Sequence, residues 1–227
     1  MNVLEKKLFA PNCDMPGNVV LPEYMIQHGG SKVQRLVGSM ILKYSILLHY
    51  LPKHSSILDM CCGTGFGASL LAASGHNVLG VDIYRKSIDC ASQRANIKTL
   101  KADALTIKLD QKFDAVISVD AIEHFTQEDQ PKLIANCYRH VAPGGYLLID
   151  TPLSGVSKVV SKQHLWELSW DDFLTVFTSG GEFRELHRYY IDNIWINGFD
   201  LSFPFKVDQK PNNTSENTDQ LILGRKL

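Results

Sequence analysis

A chain of 227 residues is long enough to bury one sizeable core and to carry a modest appendage besides. Its 44% hydrophobic and 21% charged residues exclude a disordered, collagen-like or disulfide-scaffold protein. Lys and Arg number 23 against 24 Asp and Glu, a formal charge of -1; bulk charge therefore does not suit a protein that coats nucleic acid or an acidic membrane, although a local basic patch stays open.

Residues 1–30 are punctuated by Pro and Gly, show no signal-peptide core and give no clear element. No run in the chain approaches the roughly 20 apolar residues of a membrane-spanning helix. A cytoplasmic, soluble protein without a membrane partner is expected. From Ser31, Val33, Leu36, Val37, Met40, Ile41, Tyr44, Leu47 and Leu48 recur at the spacing of an amphipathic helix, which Pro52 stops. Strands and helices then alternate. Ser55–Met60 is a short apolar strand, followed by a Gly-rich turn and a helix through Ala68–Ser74. Asn77–Asp82 is a second strand, with a helix over Lys86–Ala95; Ile97–Leu100 is a weaker third strand. Phe113–Val119 is a strong fourth, Pro131–His140 a helix, and Tyr146–Asp150 a fifth strand. Apolar strands separated by helical periods imply right-handed crossovers and a parallel sheet covered on both faces. A helix near Asp171–Thr178 precedes two β-like runs, Phe183–Ile191 and Gln220–Leu227, expected as an antiparallel pair. The stretch between them, about 192–218, reads as an insertion carrying Trp195, Phe199, Phe203 and Phe205. The five cysteines (Cys13, Cys61, Cys62, Cys90 and Cys137) include no Cys-x-x-Cys pair, which argues against a disulfide framework or a thiolate zinc site.

The richest motif is Ile57-Leu58-Asp59-Met60-Cys61-Cys62-Gly63-Thr64-Gly65-Phe66-Gly67, where the first strand meets the first helix. Glycines there let the backbone turn tightly and approach a ligand, and open parallel sheets bind ligands beyond the carboxyl ends of their strands. Asp82 ends the second strand, where an acid can hold the hydroxyls of a ribose. The same residues also suit a tight strand–helix turn with no ligand.

Strand, acid, glycine loop, Asp82, Lys101-Ala102-Asp103-Ala104, Phe113–Phe125 and Pro143–Pro152 follow in order, and together they resemble class I S-adenosylmethionine-dependent methyltransferases over about Ser56–Thr151. The resemblance implies an α/β fold: a Rossmann-like three-layer sandwich whose seven-stranded sheet is mostly parallel, with an antiparallel C-terminal strand pair. Residues 53–227 would form this domain, and residues 1–52 a cover segment with its amphipathic helix. It also implies S-adenosyl-L-methionine as cofactor. The loop from Asp59 through Cys61 and Gly63 to Gly65 would hold its methionine portion, Asp82 the ribose and Asp103 the adenine amino group. Ile83 and Ala104 would flank the adenine ring, and Val119 would close the site. Cys61 stands where the commonest form of the motif has Gly.

The end of the fourth strand reads Ser118-Val119-Asp120-Ala121. It lacks both the Asn/Asp-Pro-Pro-aromatic run of enzymes that methylate DNA amino groups and the Pro-Cys of those that methylate cytosine carbon. If a helical turn follows, Asp120, Glu123 and His124 share one face. Such a set suits a general base with its orienter, a divalent cation, or simple packing and capping. His164 is a further candidate. Asp120-Ala-Ile-Glu123-His124, Thr151-Pro152 and His164-x-x-Glu167-x-Ser169 are similar to a subgroup of class I enzymes in cell-surface glycan and secondary-metabolite pathways. They are similar also to ubiquinone-pathway O-methyltransferases and small-RNA terminal 2′-O-methyltransferases, in which the acid-x-x-Glu-His set binds a metal. The resemblance thus makes Glu123, His124 and His164 the catalytic candidates, and Asp120 joins them as ligands only if a divalent ion is used. The expected function is O-methylation of a small molecule or sugar. The alternatives are a ribose 2′-O-methyltransferase acting on RNA or a nucleotide, for which Lys158, Lys162, Arg184, Arg188 and Lys206 could form a patch, and a catalytically silent cofactor-binding scaffold.

Overall fold

The apolar runs fold as expected into a single twisted sheet. The computed structural model describes the backbone of residues 31–94, 96–154, 163–196, 199–206 and 219–227, with the side chains of all these except 31–37 and 192–206. In chain order the elements are α1 (Ser31–Tyr50), β1 (Ser56–Met60), α2 (Phe66–Ala73), β2 (Asn77–Asp82), α3 (Arg85–Ala91), β3 (Ile97–Lys101) and β4 (Phe113–Ser118). A 3₁₀ turn (Ile122–His124) follows, then α4 (Gln130–His140), β5 (Val141–Pro152), α5 (Trp170–Ser179), β6 (Phe183–Ile196), β7 (Phe199–Lys206) and β8 (Asp219–Lys226). Strand order across the sheet is β3-β2-β1-β4-β5-β8-β6-β7.

Strands β1 to β5 run parallel, and β8, β6 and β7 add antiparallel pairs at one edge. Chain direction across the sheet reverses between β1 and β4, so a crevice opens beyond their carboxyl ends. Period-two alternation fills two cores. Leu58, Met60, Val116 and Leu147 face α4 and α5, where Leu133, Ile134, Phe173 and Phe177 pack. Ile57, Ala115, Ile117 and Leu148 face the opposite layer, where Tyr44 and Leu47 of α1 meet Leu71 of α2. Ser169 caps α5 by accepting from the Asp172 N–H. Among the described residues no helix is long and apolar enough to cross a membrane.

The expected seven-stranded mixed sheet is present, and the stretch read as an insertion adds an eighth strand at its edge: β7 pairs antiparallel with β6 from Tyr189↔Lys206 to Ile196↔Phe199. The signal was present as Asn197-Gly198, the dipeptide most favoured between hairpin strands. Pro204 is compatible with this assignment because β7 lies at the sheet edge. One expectation needs correction: Cys90 on α3 is disulfide-bonded, whereas Cys61, Cys62 and Cys137 are free thiols; local spacing does not register a pairing between cysteines distant in sequence. Cys13 and most of the cover segment, residues 1–30, lie outside the described residues, as do Lys158 and Lys162.

Candidate active site

The glycine loop owes its path to left-handed residues at alternate positions: Cys61 (φ 63), Gly63 (φ 54) and Gly65 (φ 76). A side chain in this region costs roughly 1–2 kcal/mol, which explains why Gly is the commoner residue at the place of Cys61. Gly65 has a second reason to be glycine, since a Cβ there would lie 2.8 Å from the Cβ of Ala91. At Gly63 a Cβ would meet nothing, so the missing side chain leaves open space above the loop. The Cys62 N–H donates to the Val81 carbonyl at 2.9 Å, tying the loop to β2. Asp82 tightens that tie, because its carboxylate accepts from Gly63 N–H at 3.0 Å and Tyr84 N–H at 2.8 Å.

A cleft of about 830 Å³ opens beyond these strand ends, within the range of roughly 300–1,000 Å³ usual for small-molecule sites. Of the residues expected to hold the cofactor, Cys61, Gly63, Asp82, Ile83, Asp103 and Ala104 line it. Asp103 holds its own turn, accepting from Leu105 N–H at 2.9 Å. Burial raises the Asp82 carboxyl above the ordinary range, with backbone N–H groups opposing the shift. Burial likewise holds the Cys61 thiol well up, in its neutral and poorly nucleophilic form. Asp59, Gly65 and Val119 are not part of its lining. Asp59 is fully buried and receives the Tyr44 hydroxyl at 3.2–3.3 Å. Sequence reasoning passed over Tyr84, Ala121, Phe125 and Leu165, which also line the cleft; the exposed apolar side chains of Tyr84 and Leu165 carry no periodic signal.

At the other end the residues following β4 divide into two groups. Asp120 adopts φ 49, rare for a non-glycine residue, and its N–H donates to Asp150 at 2.8 Å. Its carboxylate meets the Lys43 ammonium at 2.5 Å. Lys43, on α1 and 1% exposed, also lies 2.5 Å from Asp150 and 3.0 Å from Asp219. Burial works against that ammonium, but Asp120, Asp150 and Asp219 outweigh it and hold its pKa well above the lysine value. No sequence pattern pointed to Lys43.

Glu123 and His124 stand on a helical turn after β4, as expected, of 3₁₀ type. Glu123 points inward at 1% exposure, where burial, with Asp120 and Asp150 adding to it, favours its protonated form. His124 reaches the cleft. The segment 163–169 docks beside it: the N–H groups of Leu165 and Trp166 donate to the Glu123 carbonyl at 2.8 and 3.2 Å. Gln130 donates to the carbonyls of Ile122 at 3.0 Å and Trp166 at 2.8 Å, and Gln220 to that of Leu168 at 2.8 Å. His164 is thereby set edge-on to His124, ring centres 5.2 Å apart. His124 Nδ1 bonds the Gln163 carbonyl at 3.0 Å and His164 Nδ1 bonds Glu167 at 2.7 Å. One ligating atom from each of Glu123, His124 and His164 lies within 4.8 Å of the others, while Asp120 groups instead with Asp150 and Asp219. Arg188 stacks on Trp170 at 3.7 Å and donates to its carbonyl. The Lys206 side chain lies outside those described.

The strand order, the glycine loop and the acid at the end of β2 have the arrangement of a class I S-adenosylmethionine-dependent methyltransferase domain. Residues 57–145 match the methyltransferase domain family. A ubiquinone biosynthesis O-methyltransferase of Rickettsia akari is 35% identical over 114 residues, 47% of this chain and 44% of that protein. A cypemycin N-terminal methyltransferase of a Streptomyces species is 29% identical over 125 residues, covering 51% of each. The chain thus spans about half the length of these relatives. A methyltransferase structure from Archaeoglobus fulgidus shares the fold, with TM-score 0.65 at 19% identity over 89% of this chain and 99% of that one.

Proposed function

We propose that the chain methylates a hydroxyl oxygen of a small molecule, with S-adenosylmethionine as the methyl donor. One observation carries this reading: His124 lines the same cleft as Asp82 and Asp103, and its Nδ1 is engaged by a carbonyl. A carbonyl only accepts, so Nδ1 carries the proton and Nε2 keeps a lone pair. The cleft suits the cofactor, since Gly63 leaves open space where a side chain would stand and Asp82 presents a carboxylate at the strand end. S-adenosylmethionine supplies an electrophilic methyl group on a sulfonium. In this reading Asp82 holds the ribose hydroxyls, the turn at Asp103 meets the adenine, and His124 Nε2 takes the acceptor's hydroxyl proton as oxygen attacks.

A small acceptor is favoured over RNA because, among the described residues, Arg85 and Lys86, beside Asp82, are the only basic side chains other than His124 that line the cleft. The similarity to an O-methyltransferase supports oxygen as the target, and a sugar hydroxyl falls within the same class. A second reading has a specific observation behind it: Glu123, His124 and His164 converge closely enough to hold a divalent cation. In that case the ion would orient and acidify the acceptor hydroxyl.

Calorimetry with S-adenosylmethionine and S-adenosylhomocysteine tests the cofactor. We expect both to bind the wild-type chain and Asp82→Ala to weaken them roughly ten- to a hundredfold, the worth of a charged hydrogen bond. A folded wild-type chain that binds neither overturns the reading. Binding without transfer to any phenolic, catecholic or sugar acceptor identifies the silent scaffold instead. With an active acceptor, His124→Ala should abolish turnover while leaving cofactor affinity intact. Loss of activity in chelator, restored by Mg²⁺, Mn²⁺ or Zn²⁺, selects the cation reading.

A further inference from the structure

We infer that Glu167 is a positioning residue of the acceptor site, acting through His164. The inference rests on the reading of His124 and His164 as the acceptor end of the cleft. An imidazole offers a lone pair at only one nitrogen, and the bond made by the other decides which. Gln163 and Glu167 flank His164 in one short segment and serve the two rings in turn: the Gln163 carbonyl engages His124 Nδ1 and the Glu167 carboxylate engages His164 Nδ1. Both partners are acceptors, so both rings are driven to the same tautomer, with the proton on Nδ1 and the lone pair on Nε2. The His164–Glu167 pair is sheltered, with side-chain exposures of 17% and 12%, so water competes weakly for the bond.

Glu167 is not needed to dock the segment. That work falls to the Glu123 carbonyl, Gln130 and Gln220, together with the Ser154 N–H that donates to the Leu168 carbonyl. The carboxylate is therefore spent on one imidazole, which among the described residues neighbours His124 and Glu123. A lone pair on His164 Nε2 is required whether His164 supports a base or ligates a cation, so the role of Glu167 is common to both.

The test uses the full chain labelled with ¹⁵N-histidine, the His164 signals being identified by their loss in His164→Asn. In the wild type the His164 shifts should report a protonated Nδ1 and a bare Nε2. Glu167→Ala should move the ring toward the Nε2–H form. Glu167→Gln, whose amide oxygen can accept the same bond, should keep the wild-type pattern. Turnover should fall roughly ten- to a hundredfold in Glu167→Ala, as for other residues that orient a site histidine. The KM for S-adenosylmethionine should stay unchanged, with substantial recovery in Glu167→Gln. An unaltered His164 tautomer in Glu167→Ala overturns the inference, and so does an altered tautomer with unaltered turnover. The spectra need neither cofactor nor acceptor, so a failure of the functional reading shows separately, as a wild-type chain that binds no cofactor.

Discussion

Asp59 behaves unlike the surface acids with which the sequence groups it. It ends no turn and touches no water: its carboxyl is fully buried beneath the glycine loop with Tyr44 as hydroxyl donor. Burial pushes its pKa up to about 8; the Tyr44 bond opposes this and the nearby Asp82 adds to it. Asp150 is pushed to about 8 as well, by burial that outweighs Lys43. In the unfolded chain both titrate near ~3.9. Between those limits the folded form binds protons that the unfolded form has released, so this stability is fully present below about pH 4 and is lost as pH rises through 8. Denaturant unfolding should therefore show lower stability at pH 9 than at pH 6, and Asp59→Asn should flatten part of that slope. A slope identical in the variant would show that Asp59 titrates normally. The motif disclosed this acid; the hydroxyl that opposes its protonation belongs to Tyr44, which reads in sequence as one more apolar position of an amphipathic helix.

At the level of elements, α1 does more than cover the sheet. Tyr44 lies so close to α2 that a Cβ on Gly67 would fall 1.8 Å from its ring, so the third glycine of the loop is there to admit the helix. The neighbouring Lys43 enters the opposite side of the same region and joins the residue after β4 to β5 and the start of β8. The period of α1 was legible because apolar spacing is local. Lys43 was not, since a buried lysine looks like any polar-face lysine until three aspartates from separate elements arrive around it. Removing it strands these carboxylates, and breaking a buried ion pair costs about 3–5 kcal/mol. Lys43→Met should cost that much near pH 8 and less near pH 5. The raised pKa values of Asp150 and Asp219 let those groups take up protons and shed the uncompensated charge. Equilibrium unfolding at the two pH values measures it; a loss independent of pH would mean that the lysine serves by packing alone.

Across the whole molecule, the sheet divides the work. The parallel half carries the proposed cofactor end on β1, β2 and β3, and the glycine loop was legible because parallel strands demand helical crossovers and the loop marks the strand order's reversal. The proposed acceptor end is assembled from distant pieces: the turn after β4, the segment 163–169 and the antiparallel strand β8. Sequence spacing could nominate His124 and His164 but could not bring them together, since backbone carbonyls and two glutamine amides hold them, and those groups leave no pattern. Gln220 exposes this division to experiment. It sits on β8, fully buried, and donates to the Leu168 carbonyl at 2.8 Å. Gln220→Ala leaves that carbonyl with the Ser154 N–H as its donor and loosens the His164 segment, at a cost of about 0.5–1.5 kcal/mol for the lost hydrogen bond. Turnover should fall by roughly tenfold for a small misplacement of the acceptor-side groups, while the calorimetric affinity for S-adenosylmethionine stays as in the wild type. Asp82→Ala should do the reverse, losing affinity first. If Gln220→Ala weakens cofactor binding as much as turnover, the two halves are a single cooperative site and the division fails.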